Sequence, residues 1–219
     1  MERSKVIILI PSRNEYSTLR KILKKIHREY LILVIDDNSK DNTHKYLLKN
    51  KIPFLRNSKQ LGYESSLIKG FKHVLKNRKK INYIITMDAD GEHSFKDIKK
   101  FLNINKNYDL VIGKRNRYNR ITEHFLSWVF YKKFRIYDPL SGFKMYKTKK
   151  LYKIKYSSKY FLVDLALQFV QSEKAKYINL PINVRKRYGK SRLNNWFFTN
   201  LKILKIILFV FSIRNGRSS

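Results

Sequence analysis

The sequence predicts an α/β protein, a single domain built on one mostly parallel sheet with helices on both faces. Three observations predict it. Short apolar runs rich in Ile and Val alternate with segments whose apolar residues recur at helical spacing. Three of those runs end in polar or acidic clusters, as strands do where an open parallel sheet binds its ligands. The 219 residues, 43% of them hydrophobic, are enough for one real core and too few for two comfortable ones.

Taken in order, a strand is expected over Val6 to Ile10. "PSRNEYSTLRKILKKIHREY" follows as a helix carried by Leu19, Leu23 and Ile26, with Ser12 or Asn14 as its cap. "LILVIDD" is a second strand ending on Asp36 and Asp37, and "NSKDNTHKYLLKN" starts a second helix with Asp41 or Asn42 as cap. A short strand lies near Phe54, a third helix in "GYESSLIKGFKHVLKN", and the next strong strand in "YIITMDAD". "FKDIKKFL" is a short helix and "DLVIGKR" a further strand. In the second half, "RITEHFLSWVFYKKF" has the look of an amphipathic helix, "DPLSGFKMYK" of a turn entering a strand, and "YFLVDLALQFVQSEKA" of a buried helix. "YINLPINVRKRYGKSRLN" is a strand running into a basic loop, and residues 196–213 form an apolar helix. No linker or internal repeat divides the chain. Residues 1–4 lead straight into the first strand, so no signal peptide is expected, and no run reaches the ~18 apolar residues of a spanning helix.

Three strand ends therefore converge on one crevice: Pro11 to Glu15, Asp36 and Asp37, and Asp88 to Glu92. The last of these, in "TMDADGEHS", packs three carboxylates into five positions of a chain with formal charge +33. On an extended segment Asp88 and Asp90 face the same side. Gly91 permits a bend that returns Glu92 toward them. Mg²⁺ or Mn²⁺ would cancel their repulsion, seat a diphosphate and stabilise charge on a departing phosphate. The competing reading is an exposed acidic turn whose Ser94 caps the next helix. An aspartate-nucleophile phosphatase fits less well, since its D-x-D ends the first strand of the core. No G-x-G pair and no G-x-x-x-x-G-K-[ST] occurs, which argues against dinucleotide and P-loop chemistry. The chain has no cysteines, so disulfides and thiolate metal sites are excluded.

"IPSRNE", "VIDDNSKDNT" and "MDADGEH", in this order and spacing, resemble the GT-A nucleotide-diphospho-sugar transferases of family 2. "DPLSGFK" and "RKRYGKSRLN" are similar to the polyprenyl-phosphate branch, which includes dolichyl-phosphate mannose synthase. The resemblance runs from about residue 5 to residue 195 and implies a GT-A domain over 1–195, followed by a C-terminal apolar and basic helix over 196–219. It implies that Pro11, Arg13 and Glu15 hold the nucleoside, with Arg13 standing where the family commonly has an aromatic. Ile35 and Asp37 match residues that contact base and ribose. Asp88, Ala89 and Asp90 match the diphosphate and metal motif, and Glu92, often Gln in the family, is a further ligand of the cation. Arg115 matches an arginine near the diphosphate. Lys186 and Arg192 stand where the family places Arg and Lys on phosphates, with Arg185 or Arg187 able to take over from Lys186. Blander readings stand beside these: Asp37 as a helix cap, Arg115 as a surface cation, the 186–192 run as a solvated loop, His93 as a loop or capping residue.

The implied reaction is inverting transfer of a hexose from GDP-mannose or UDP-glucose to a polyprenyl monophosphate. The phosphate oxygen attacks in line with the leaving diphosphate, and being anionic at neutral pH it needs no strong base. Asp88, Asp90, Arg115, Lys186 and Arg192 carry the catalysis. The runner-up is a family 2 transferase acting on a sugar hydroxyl, with Asp164 as base. "WFFTNLKILKIILFVFSI" suits a helix lying in the membrane interface, and the basic surface adds attraction to anionic headgroups. The protein is thus expected to be peripheral at the cytoplasmic face of a membrane, with a possible membrane-protein partner and no nucleic acid. The excess of 49 Lys and Arg over 16 Asp and Glu also goes with a chain rich in Lys, Ile, Asn and Tyr, which AT-rich coding favours. A non-catalytic basic module for nucleic acid or anionic surfaces is the alternative of another class. It does not account for three acidic strand ends on one crevice.

Overall fold

The computed structural model describes residues 5–77, 80–104, 108–118, 120–156, 160–185 and 196–212. Strands β1 (Val6–Ser12), β2 (Leu31–Asp36), β3 (Phe54–Arg56), β4 (Tyr83–Thr86), β5 (Leu110–Arg115), β6 (Lys144–Lys147) and β7 (Tyr177–Ile182) form one sheet in the order β3-β2-β1-β4-β6-β5-β7. All pairs are parallel except those of β6, which runs antiparallel to both β4 and β5. Every residue of β1 is buried, the mark of a strand covered on both faces.

The helices divide between the faces. On one face α1 (Tyr16–Ile26), α2 (Thr43–Lys49) and α4 (Phe95–Asn103) bury Leu19, Leu23, Leu47, Ile98 and Phe101 against Val6, Ile8 and Ile10. On the other, α3 (Tyr63–Asn77), α5 (Ile121–Phe134), α7 (Phe161–Gln171) and α8 (Trp196–Ser212) close over Ile7 and Leu9. The period-two alternation of β1 thus feeds two cores. A one-turn helix, α6 (Thr148–Leu151), follows β6 and was not expected from the sequence.

Two expectations are corrected. The α5 segment is not amphipathic. Leu126, Val129, Phe130 and Phe134 are buried, and the opposite side carries Ile121, Phe125 and Trp128, all exposed. The C-terminal helix is not set apart from the domain either. Ile203, Ile206, Ile207 and Val210 of α8 are buried in the same core as α5 and α7. The expected boundary at 195 falls outside the described residues.

Candidate active site

Backbone hydrogen bonds bring the strand ends together. Asp37 N donates to Ser12 O (2.9 Å), Asn57 N to Asp36 O (2.9 Å) and Met87 N to Leu9 O (3.0 Å). The turn after β1 is stitched to the loop after β2. Asn14, at φ 49°, donates its N–H to Ser39 Oγ (2.9 Å), and its amide oxygen accepts from Lys40 N (2.6 Å). Asn tolerates this left-handed backbone. Asn14 therefore does not cap α1, and neither does Ser12, which lies inside β1. Asp41 does the work instead: Oδ2 accepts from Tyr16 N and Oδ1 from Thr43 N, both at 2.9 Å. One carboxylate serves the first amides of α1 and α2, where the helix dipoles favour an anion.

The residues expected around the nucleoside divide. Arg13 and Glu15 lie half-buried in the turn, and the buried Arg13 Nε and Ser12 Oγ have no protein partner. Those orphaned atoms are what a polar ligand would satisfy. Pro11 is buried within β1 opposite Ile35. Ile35 itself is wholly buried and packs under α3, where a Cβ added to Gly70 would sit 2.9 Å from Ile35 Cδ1. Its side chain is a core residue and does not reach the crevice. Asp37 is buried and committed. Oδ1 accepts from Asn57 Nδ2 and Leu61 N (both 2.8 Å), and Oδ2 accepts from Gly62 N (2.9 Å). Burial pushes its pKa up, but those three donors and the Arg13 charge prevail and hold it below the usual carboxylate value. Asp37 fixes the loop that enters α3, which is more than the capping or ribose contact expected of it.

The acidic segment is not extended. β4 ends at Thr86, residues 89 and 90 form a turn, and Gly91 takes φ 81°. The alternation that would aim Asp88 and Asp90 together does not apply. Ala89 is buried in the core, and Asp90 Oδ1 accepts from Glu92 N (3.1 Å). Among the described residues no three His, Asp or Glu side chains are grouped to hold a metal ion, so the expected set of Asp88, Asp90 and Glu92 is not assembled. Ser94 does cap α4, accepting from Lys96 N (3.2 Å).

Asp88 is nonetheless held with care. Tyr63 Oη donates to Oδ1 (2.7 Å), and His93 Nε2 lies 3.2 Å from Oδ2. The His93 ring stacks on Phe143 at 5.1 Å, and a Cβ on Gly142 would overlap the Asp88 carboxylate. Burial raises the Asp88 pKa, but His93, Tyr63 and the Arg115 charge outweigh it and the carboxyl is held below its ordinary range. Burial lowers His93, while Asp88, Asp90 and Glu92 outweigh it and raise the imidazole. Tyr63, His93 and Gly142 were not singled out as functional from sequence; Tyr63 is 25 residues from its partner, and no local pattern announces it. Two hard carboxylates in one turn, one kept ionised, fit Mg²⁺ or Mn²⁺, which bind through one or two carboxylates and complete their shell with phosphate oxygens and water.

Arg115 is not a surface cation. Its Nε and Nη2 fork onto Asp138 at 2.7 and 3.0 Å, and Nη2 lies 3.5 Å from Glu123. Burial lowers its pKa, but the two acids raise it well above the ordinary value. Its bond to Asp138 pins the start of the "DPLSGFK" turn. Arg185 N donates to Glu92 O (2.9 Å), which sets one cation beside the acidic turn. Lys186 and Arg192, with Arg187, lie outside the described residues. Asp164 accepts from Gln168 Nε2 (2.8 Å) on its own helix, a structural pairing.

A parallel sheet with one antiparallel insertion and an acidic turn at its central strand defines a GT-A glycosyltransferase fold. The chain belongs to glycosyl transferase family 2, which matches residues 7–175. The fold is shared with glucosyl-3-phosphoglycerate synthase from Mycobacterium tuberculosis in complex with Mn²⁺ and uridine-diphosphate-glucose, at TM-score 0.74 and 16% identity over 98% of this chain and 81% of that one. In sequence the chain is 28% identical to the uncharacterized protein MJ0544 of Methanocaldococcus jannaschii over 94% of this chain and 99% of that protein. It is 31% identical to the dolichol-phosphate mannosyltransferase of Pyrococcus furiosus over 64% of this chain and 45% of that enzyme. It is 27% identical over 50% of its length to a UDP-N-acetylglucosamine–dolichyl-phosphate N-acetylglucosaminyltransferase of Methanococcus voltae, of which 51% is covered. The chain thus spans about half the length of these two enzymes.

Proposed function

We propose that the protein is an inverting glycosyltransferase that moves a hexose from a nucleotide-diphosphate sugar, GDP-mannose or UDP-glucose, to a polyprenyl or dolichyl monophosphate at a membrane surface. The observation that carries this reading is Asp88, an ionised carboxylate held by Tyr63 and His93 against the Gly142 backbone at the carboxyl end of the central strand. A carboxylate fixed there would help hold a divalent cation, which would supply charge neutralisation to a diphosphate. Two relatives named as dolichyl-phosphate transferases support the lipid acceptor. So does the exposed apolar face of two adjacent helices, Phe125 and Trp128 of α5 with Phe198, Leu208 and Phe211 of α8. The same helices carry the exposed Lys132 and Lys205. No helix among the described residues is long and apolar enough to cross a membrane. Such a face suits the membrane interface, its lysines at the headgroups, and in this reading the protein is a peripheral component, with the cytoplasmic face as the proposed side.

In this reading the nucleoside lies over the 11–15 turn and the 57–62 loop that Asp37 holds, with Arg13 and Ser12 offering their unpartnered atoms. Bound to Asp88 and Asp90, Mg²⁺ or Mn²⁺ would neutralise charge on the diphosphate. Arg185, with Lys186 and Arg192, would hold phosphate oxygens. The acceptor oxygen is already anionic, so the residues position and shield rather than remove a proton. The new bond from phosphate oxygen to the anomeric carbon forms as the bond to the diphosphate breaks on the opposite side, which inverts the centre. Asp164, paired with Gln168, has no step to perform.

The test is transfer of labelled sugar from GDP-mannose, UDP-glucose and UDP-GlcNAc into extractable lipid with polyprenyl phosphate and Mn²⁺ or Mg²⁺, for wild type and Asp90→Asn. Metal-dependent labelling by one donor, lost in Asp90→Asn, is the expected result. Donor binding without lipid labelling would remove the lipid acceptor. Absence of donor binding would remove the transferase reading altogether.

A further inference from the structure

The "DPLSGFK" turn ends in Lys144, the first residue of β6, which is fully buried at 0% exposure. Its ammonium reaches back under the turn, donating to Pro139 O (2.8 Å) and Ser141 O (2.5 Å). Those carbonyls point into the protein and need a donor there. An ammonium has three protons and can serve both. No carboxylate among the described residues lies within ion-pair distance of it. Burial pushes its pKa down to about 8 and Arg115 acts in the same sense, while the Asp138, Glu64 and Asp88 charges resist. A buried, unpaired charge is a poor way to stabilise a fold, since an apolar side chain of similar volume does so at lower cost. The charge therefore calls for another reason.

That reason is the position of Gly142. The turn is fixed at three points: Asp138 by the Arg115 fork, Pro139 and Ser141 by Lys144, and Gly142 O by the Thr86 hydroxyl (2.7 Å). So held, the Gly142 backbone closes against the Asp88 carboxylate, so tightly that a Cβ there would overlap it. Tyr63 and His93 hold the carboxylate by its oxygens. We propose that Lys144 is a positioning residue for Asp88: its buried ammonium holds the 138–142 turn so that the Gly142 backbone sets where the carboxylate meets the metal and diphosphate. This deepens the transferase reading and rests on it for the identity of what Asp88 binds.

The experiment measures Mn²⁺ affinity by electron paramagnetic resonance, with and without UDP or GDP, together with thermal midpoints. It compares wild type, Lys144→Met, Thr86→Val, Asp88→Asn and Lys144→Met/Asp88→Asn. Thr86→Val removes the other clamp on Gly142 at nearly constant volume and serves if Lys144→Met fails to fold. Both single clamp variants are expected to bind Mn²⁺ more weakly, Lys144→Met by roughly ten-fold, the size of one lost hydrogen bond to a charged group. Metal-free nucleotide binding should stay within about two-fold of wild type. Lys144→Met should add nothing in the Asp88→Asn background. A merely structural lysine would lower the midpoint and leave Mn²⁺ affinity alone. Wild-type Mn²⁺ affinity in both clamp variants, or a full further loss on top of Asp88→Asn, would overturn the positioning role while leaving the transferase reading intact. Wild type that binds no Mn²⁺ in the presence of either nucleotide would overturn both.

Discussion

Asp37→Asn separates a residue that holds a loop from one that holds a ligand. The carboxylate accepts three hydrogen bonds, two at Oδ1 from Asn57 Nδ2 and Leu61 N and one at Oδ2 from Gly62 N. Asparagine can place its oxygen at the Oδ1 position and keep two of them at neutral strength. Its NH₂ then faces the Gly62 N–H, donor against donor. One charge-assisted bond is lost, an N–H is left unpaired and two bonds weaken, together about 2–4 kcal/mol. For a chain of 219 residues that corresponds to a fall of roughly 5–15 °C in Tm. The pH dependence follows from the sign of the shift. Asp37 is held below its ordinary value of 3.8, so its contribution is present above that value and is lost as pH falls through the folded-state pKa. The gap between wild type and variant should be flat from about pH 5 to 8 and shrink in acid below roughly pH 4. Urea unfolding at several pH values, with calorimetry of UDP and GDP binding, measures both. A variant as stable as wild type that has lost nucleotide binding would refute the reasoning, because Asp37 would then serve the ligand and not the 57–62 loop.

Three further outcomes are expected. Asp138→Ala leaves the Arg115 guanidinium, 15% exposed, without its fork and with only Glu123 nearby, and should cost about 3 kcal/mol in urea unfolding, the lower end for a broken buried pair. Tyr63→Phe removes a donor that favours the ionised Asp88, so the acid limb of the activity profile should move to higher pH and turnover should drop roughly ten-fold. Phe125→Ser with Trp128→Ser removes two stacked aromatics that are 47% and 54% exposed. With about 100 Å² of apolar area per ring left to bury, the double variant should bind vesicles containing phosphatidylglycerol at least ten-fold more weakly, with Tm nearly unchanged.

The fold was legible where a rule acts on a short window. β1, β4, β2 beyond the exposed Leu31 and the apolar part of β5 are continuous buried runs, and such runs alternating with helical spacing imply a parallel sheet whatever the side chains later touch. The crevice followed, because the carboxyl ends of such strands lie together by topology. What failed depended on partners far along the chain. Asp88 and Asp90 share a face only if the strand continues, and it ends at Thr86, with residues 89 and 90 in a turn. Ser12 and Asn14 are good capping residues, but Asp41 had already supplied Tyr16 N with an acceptor from 25 residues away. The outer face of α5 carries His124 and Lys132 beside its aromatics, so its pattern passes for amphipathic; only packing shows that Phe125 and Trp128 remain uncovered. Lys144 is the sharpest case. A lysine at the start of a strand reads as a solvated edge, yet β6 is inserted between β4 and β5, and no water reaches its ammonium. The cost of burying that charge is visible only once the turn above it and the carboxylate beyond the turn are known. A residue that violates local expectation at such a place points to a requirement that the local pattern does not contain.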